Sequence, residues 1–166
     1  MAAPINVVFI SISGNTRAFT KLLKQHAVKA QAMDADSRDV NFYEYTEQFD
    51  ERVLDAGPYF VLVPTYLDGG DGMHTGYQET LTVDLRDELD DGNTDNLIGI
   101  VGSGNRNFNA QFGLTAKHYA NRYNSPLIGL FELRGNKEEA RRIYDAMSTT
   151  LTEYERTGVK KALTRA

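Results

Sequence analysis

Apolar residues along this chain gather into five short runs separated by stretches long enough for a helix. The runs occupy residues 5–11 (INVVFIS), 40–45 (VNFYEY), 59–64 (YFVLVP), 97–102 (LIGIVG) and 126–133 (PLIGLFEL). Four are nearly continuous and rich in β-branched or aromatic residues, the pattern of strands covered on both faces. The run at 40–45 is interrupted by Asn41 and Glu44 and predicts an edge strand. Between the runs the period changes to that of a helix. Phe19, Leu22, Leu23, His26, Ala27 and Ala30 recur at helical spacing, as do Phe112, Ala116, Tyr119, Ala120 and Tyr123. A last helix carries Ala140, Ile143, Met147, Leu151 and Tyr154. Its start is predicted at Asn136, with Glu139 three residues on in a loose capping box, and its end near Gly158.

Strands alternating with helices imply right-handed parallel crossovers. The predicted fold is therefore α/β, a doubly wound five-stranded parallel sheet with helices on both faces. Ligands of such sheets sit beyond the carboxyl ends of the strands, so the residues that follow each run carry the functional information.

The chain has 166 residues, enough for one domain with a sizeable core. That domain is expected to span residues 1–155. The tail at 156–166, with Arg156, Lys160, Lys161 and Arg165 and no acid, is expected to be flexible. The formal net charge is -5, and much of the acid lies between Asp84 and Asp95, opposed in that stretch only by Arg86. This excess argues against nucleic acid as a partner, and the run predicts a solvated helix end and turn. No apolar stretch approaches the roughly 20 residues of a membrane span, and the first residues lack the order of a signal peptide. A cytoplasmic location without membrane attachment is expected. There is no cysteine, so any redox chemistry must come from a cofactor.

Three post-strand loops carry the candidate chemistry. The first contains Ser11, Ser13, Gly14, Asn15 and Thr16, ahead of Arg17. Unpartnered N–H groups and the dipole at a helix start favour an anion, and the hydroxyls and amide add neutral donors: a phosphate cradle without a cation. The competing reading is that Ser13 or Asn15 caps the helix. The second loop, PTYLDGGDGMHTGYQ at 64–78, is long and holds Gly69, Gly70, Gly72 and Gly76, which suits close approach to a flat ligand. The third, GSGNRNFNAQFG at 102–113, supplies Asn105, Asn107 and Phe108. Its G-x-G opening is not a dinucleotide fingerprint, because Asn107 stands where a glycine is wanted and the loop follows the fourth strand. Tyr66 and Phe108, each after a strand end, are candidates to touch a planar heterocycle.

Several α/β alternatives fail on residue type. Ser11 and Thr65 stand where a response regulator needs acids, a tyrosine phosphatase of similar architecture needs a cysteine, and no Walker loop is present. His26, His74 and His118 are scattered without metal-ligand spacing. His26 is expected at the edge of the core, His118 on a helix surface, and His74 within the glycine loop.

The order ISISGNT, PTYLDGG and SGNRNF resembles the flavodoxins, whose ligand is flavin mononucleotide (FMN). GSGNRNFNAQFGLTAKHYANRYNSPLIGLFELRG, residues 102–135, is similar to the NrdI proteins, flavodoxin-like activators of class Ib ribonucleotide reductase. The long insert LDGGDGMHTGYQE is similar to the longer, Gram-positive type. The resemblance implies that Ser11, Ser13, Gly14, Asn15 and Thr16 hold the phosphate. It likewise implies that Thr65, Tyr66, Leu67, Asp68, Gly69 and Gly70, with Ser103, Gly104, Asn105, Asn107 and Phe108, surround the isoalloxazine. It implies no metal site and no stand-alone turnover. Reduced flavin would react with dioxygen and pass superoxide, or a related oxidant, to the dimanganese centre of the reductase small subunit, where a tyrosyl radical forms. Electrons would come from an unidentified flavin reductant. Asp71, Met73 and Tyr77 are the expected docking residues. A general electron-transfer flavodoxin and a cofactor-free scaffold remain as alternative readings.

Overall fold

The computed structural model describes residues 2–11, 14–65, 67–68, 78–79, 83–104 and 113–160, with the backbone alone at 67–68 and 78–79. Five strands, β1 (Ile5–Phe9), β2 (Val40–Glu44), β3 (Tyr59–Pro64), β6 (Leu97–Gly104) and β7 (Leu127–Glu132), form one sheet in the order β2-β1-β3-β6-β7. Every neighbouring pair in it is parallel. A separate antiparallel pair joins β4 (Leu67–Asp68) to β5 (Gln78–Glu79). The helices are α1 (Asn15–Met33), α2 (Val53–Ala56), α3 (Val83–Asp91), α4 (Leu114–Tyr123) and α5 (Lys137–Thr157). This is the doubly wound, five-stranded parallel α/β arrangement the sequence pattern predicts.

Strand periodicity sends alternate side chains to opposite faces and so builds two cores. Val7, Phe9, Phe60 and Leu62 pack with Phe19 and Leu23 of α1 and with Ile143, Met147 and Leu151 of α5. Val8, Val61, Val63 and Ile100 pack on the other face with Leu85, Leu89, Tyr119 and Tyr123. All six residues of β3 are buried. Burial of each Val, Leu or Phe there contributes about 1.5–3 kcal/mol. The chain steps outward from β1 to β2, then returns to β3 and proceeds to β6 and β7. The order therefore reverses between β1 and β3, where a ligand crevice opens in folds of this kind.

Three expectations require adjustment. The run at 126–133 was expected to be covered on both faces, yet only Phe131 is buried within β7, because this strand is the second edge of the sheet. Glu139 forms half a capping box. Its N–H donates to Asn136 Oδ1 at 2.8 Å, while its Oε2 accepts from Glu132 N–H at 3.1 Å instead of from Asn136. Next, Arg86 is not alone in opposing the acidic run: Arg122 of α4 donates twice to Asp90, at 2.8 and 2.6 Å. The helix end expected within the acidic run is that of α3, whose buried residues are Leu85 and Leu89.

At the chain's end, α5 runs through Thr157 and closes at Gly158 with φ 69°. Lys160 Nζ donates to Thr94 O at 2.9 Å and Tyr123 O at 2.7 Å, and desolvation lowers its pKa. Among the described residues, no helix is long and apolar enough to cross a membrane.

Candidate functional site

β1, β3 and β6 lie side by side and end on the same edge, which brings the starts of all three predicted loops into one place. After β1 the chain reaches Ser11, whose Oγ accepts from Arg17 N–H at 3.2 Å. Gly14 then caps α1 in the left-handed region, at φ 90°, without a side-chain cap bond. The helix is thus not capped by Asn15, which is its first residue, and Ser13 lies outside the described residues. Gly14 O accepts the first helical bond, from Ala18 N–H at 3.0 Å. Among the described residues no partner takes the N–H groups of Asn15 and Thr16. Such groups at a helix start, with the dipole behind them, form an anion site.

Electrostatics keep this cradle neutral. Arg17 is the nearest cation in sequence, but its guanidinium donates to Glu44 at 3.2 and 2.6 Å. The hydrogen bond to Glu44, then its charge, raises the Arg17 pKa. The arrangement offers a phosphate backbone N–H groups, hydroxyls and a helix dipole, with the side-chain cation already matched. Thr16 itself is buried.

The second part of the site is a clasp between strand ends. Thr65 N–H donates to Ser103 O at 3.0 Å. Thr65 Oγ1 accepts from Thr115 N–H, in the first turn of α4, at 3.1 Å. Thr65 therefore ties the end of β3 both to β6 and to the helix that follows β6. Ser103 is buried, and Gly104 O accepts from Leu133 N–H at 2.9 Å. Thr115 is wholly buried, and its hydroxyl is without a hydrogen-bond partner among the described residues. Sequence reading did not single out Thr115, and its one signal was a polar residue on the buried face of an amphipathic helix.

Of the predicted site residues, Ser11, Gly14, Asn15, Thr16, Thr65, Ser103 and Gly104 fall at this edge. Leu67 and Asp68 form β4, their backbone paired with Glu79 and Gln78. Ser13, Tyr66, Gly69, Gly70, Asn105, Asn107 and Phe108 lie outside the described residues, as do Asp71, Met73, His74 and Tyr77. Gly102, the first glycine of the third loop, has a packing role: a Cβ there would stand 2.3 Å from Ala116 Cβ. His26 lies at the core edge as expected, its ring edge-on to Tyr144 at 4.9 Å. His118 is exposed on α4. Among the described residues no group of acids and histidines could hold a metal.

Comparison with known proteins identifies the family and the fold. The profile of the "NrdI Flavodoxin like" family matches residues 7–145. An NrdI-like protein of Streptococcus pyogenes is 38% identical over 150 residues, covering 89% of this chain and 95% of that one. Protein NrdI of Chromohalobacter salexigens is 31% identical, covering 89% of this chain and 96% of its own. Among solved structures, a short-chain flavodoxin associated with a bacterial microcompartment superposes with a TM-score of 0.66 at 16% identity. That superposition covers 92% of this chain and 99% of the flavodoxin, a likeness of fold.

Proposed function

Because the chain belongs to the NrdI flavodoxin-like family, we propose that it is an FMN protein that activates a class Ib ribonucleotide reductase. In this reading it delivers superoxide, or a related oxidant, to the dimanganese centre of the small subunit, where a tyrosyl radical is formed. The observation that carries the proposal is the start of α1, where Gly14 is left-handed, the N–H groups of Asn15 and Thr16 have no partner among the described residues, and Glu44 matches Arg17.

The residues present fit FMN. Ser11, Ser13, Gly14, Asn15 and Thr16 would hold the phosphate, in a pocket whose attraction comes from dipoles and N–H donors. Thr65, Tyr66, Leu67, Asp68, Gly69 and Gly70 would line one side of the isoalloxazine, and Ser103, Gly104, Asn105, Asn107 and Phe108 the other. Thr65 accepts from Thr115 N–H and so has its hydroxyl proton left to donate toward the ring edge. The clasp from Thr65 to Ser103 and Thr115 fixes the spacing of the two ring-binding segments. Bound FMN supplies the electron store and the reaction with dioxygen that yields the oxidant. Its electrons come from a separate flavin reductant, and the chain's own part is to bind, orient and present the ring.

The test begins with the absorption spectrum of the purified protein and uptake of added FMN. The loaded protein is then reduced without oxygen, mixed with manganese-loaded small subunit and exposed to oxygen, and the tyrosyl radical is followed by electron paramagnetic resonance. Radical formation that requires this chain supports the reading. A flavin-bearing protein that yields no radical points to a general electron-transfer flavodoxin, and a protein that takes up no FMN removes both readings.

A further inference from the structure

We propose that Leu133, with Arg134 beside it, is a preformed anchor by which this chain docks on the reductase small subunit. This rests on the function proposed above and adds to it a contact residue outside the loops that hold the flavin. Leu133 has φ 54°, in the left-handed region where a bulky side chain is strained and glycine or asparagine is not. Burial does not compensate, since Leu133 is 45% exposed. A leucine held at a torsion it disfavours, with its side chain in water, is explained by something that covers it.

Its position is rigidly set. Leu133 N–H donates to Gly104 O at 2.9 Å, and Gly135 N–H donates to Glu132 O at 2.8 Å to close the turn. The buried Glu139 carboxylate holds Glu132 N–H at 3.1 Å. Gly135 lies against Phe19 so closely that a Cβ would stand 2.3 Å from the ring. Phe19 in turn stacks on Phe131 with centroids 3.7 Å apart. The turn is thus locked to α1, β6 and α5 together, and its exposed side chain is presented in one place. An apolar group fixed in this way loses little conformational freedom when a partner covers it.

Location and charge select the occupant. Among the described residues, the other large apolar side chains that are exposed, Val28, Met33 and Val159, lie on α1 or beyond α5. Leu133 instead follows β7 and is bonded to Gly104, the last residue of β6, at the mouth of the ring-binding loop. A partner that takes oxidant from the flavin has to cover this edge. Arg134 is exposed and, among the described residues, forms no ion pair, although the chain carries a net charge of -5. The matching surface on the small subunit is therefore an apolar hollow with a carboxylate at its rim.

The experiment uses the FMN-loaded full chain and purified small subunit, with affinity measured by calorimetry. Leu133→Asn and Leu133→Gly both suit the left-handed torsion, so each removes the anchor without disturbing the turn. The expected result is retained flavin and a melting temperature no lower than that of the unaltered chain, with affinity weakened roughly tenfold or more. Arg134→Ala is expected to weaken binding and flatten its dependence on salt, and Val28→Asn to change nothing. Variants at Leu133 that bind as tightly as the unaltered chain overturn the inference and leave the functional reading intact. Loss of flavin from both variants also overturns it, since Leu133 would then belong to the cofactor site. An unaltered chain that fails to bind the small subunit removes the functional reading and this inference together.

Discussion

Gly14 and Leu133 both hold left-handed torsions, φ 90° and 54°, and they separate two effects that usually arrive together. At Gly14 a Cβ would meet nothing within 4 Å, so the cost of a side chain is torsional and not steric crowding. Gly14→Ala is expected to lower stability by about 1 kcal/mol, measured by urea denaturation of the flavin-free protein. At Leu133 the order of two truncations is informative. Leu133→Gly is expected to be more stable than Leu133→Ala by about 1 kcal/mol, the reverse of the ordinary preference, because only glycine relaxes at this torsion. Sequence found Gly14 through the hydroxyls around it, but assigned Ser11 only to phosphate. In the structure Ser11 Oγ also accepts from Arg17 N–H, a bond six residues apart that residue type does not disclose. Leu133 was read as the end of the fifth strand, whereas β7 stops at Glu132; a positive φ at a leucine is imposed by the surrounding turn and not chosen by its side chain.

At the scale of elements, the contact between α4 and β6 depends on the absence of a side chain at Gly102. Replacing it with valine places Cβ 2.3 Å from Ala116 and crowds Leu130. Gly102→Val is expected to cost about 1–3 kcal/mol by overpacking, read as a lower denaturation midpoint, and to weaken FMN retention through the displaced start of α4. Sequence reading weighed Gly102 only as part of a G-x-G opening, whereas its missing side chain makes room for a helix. One ion pair of the α3 to α4 contact, Asp90 with Arg122, responds to pH. The hydrogen bond from Arg122 holds the Asp90 carboxyl below its ordinary range; partial burial opposes it, and the Tyr123 hydroxyl adds to it. A folded-state pKa below the unfolded value of about 3.9 stabilises the protein above that pH, and the contribution is lost as pH falls through the folded value. Asp90→Asn should therefore lower the melting temperature modestly at neutral pH, by an amount that shrinks with added salt, and the gap should close in acid. This pair was invisible in the sequence because it joins residues 32 positions apart, while the acids themselves were plain.

For the whole molecule, the readable part of the sequence was the alternation that builds two cores on one parallel sheet. It placed the five strands, left only the covering of β7 to correct, and so located the edge at which sheets of this kind take their ligands. What it could not place was which atoms of that edge bond to each other, such as Thr65 to Ser103 and Thr115, because those bonds join segments 38 and 50 residues away in the chain. These long-range bonds make a whole-molecule prediction possible. A ligand that spans the α1 start and the clasp joins β1, β3, β6 and α4, and binds the folded chain only. At a concentration about 100 times its dissociation constant, such a ligand stabilises the fold by about 2.7 kcal/mol. For a chain of this size that corresponds to a rise in melting temperature of roughly 5–10 °C. Flavin-free protein titrated with FMN should show this rise, with the midpoint climbing as the logarithm of FMN concentration, and removal of FMN should reverse it. Riboflavin, which lacks the phosphate, separates the two halves of the site: a much smaller shift assigns the binding energy to the start of α1. An equal shift with riboflavin would mean that the ring-binding edge acts alone and that Gly14, Asn15 and Thr16 serve only to begin a helix.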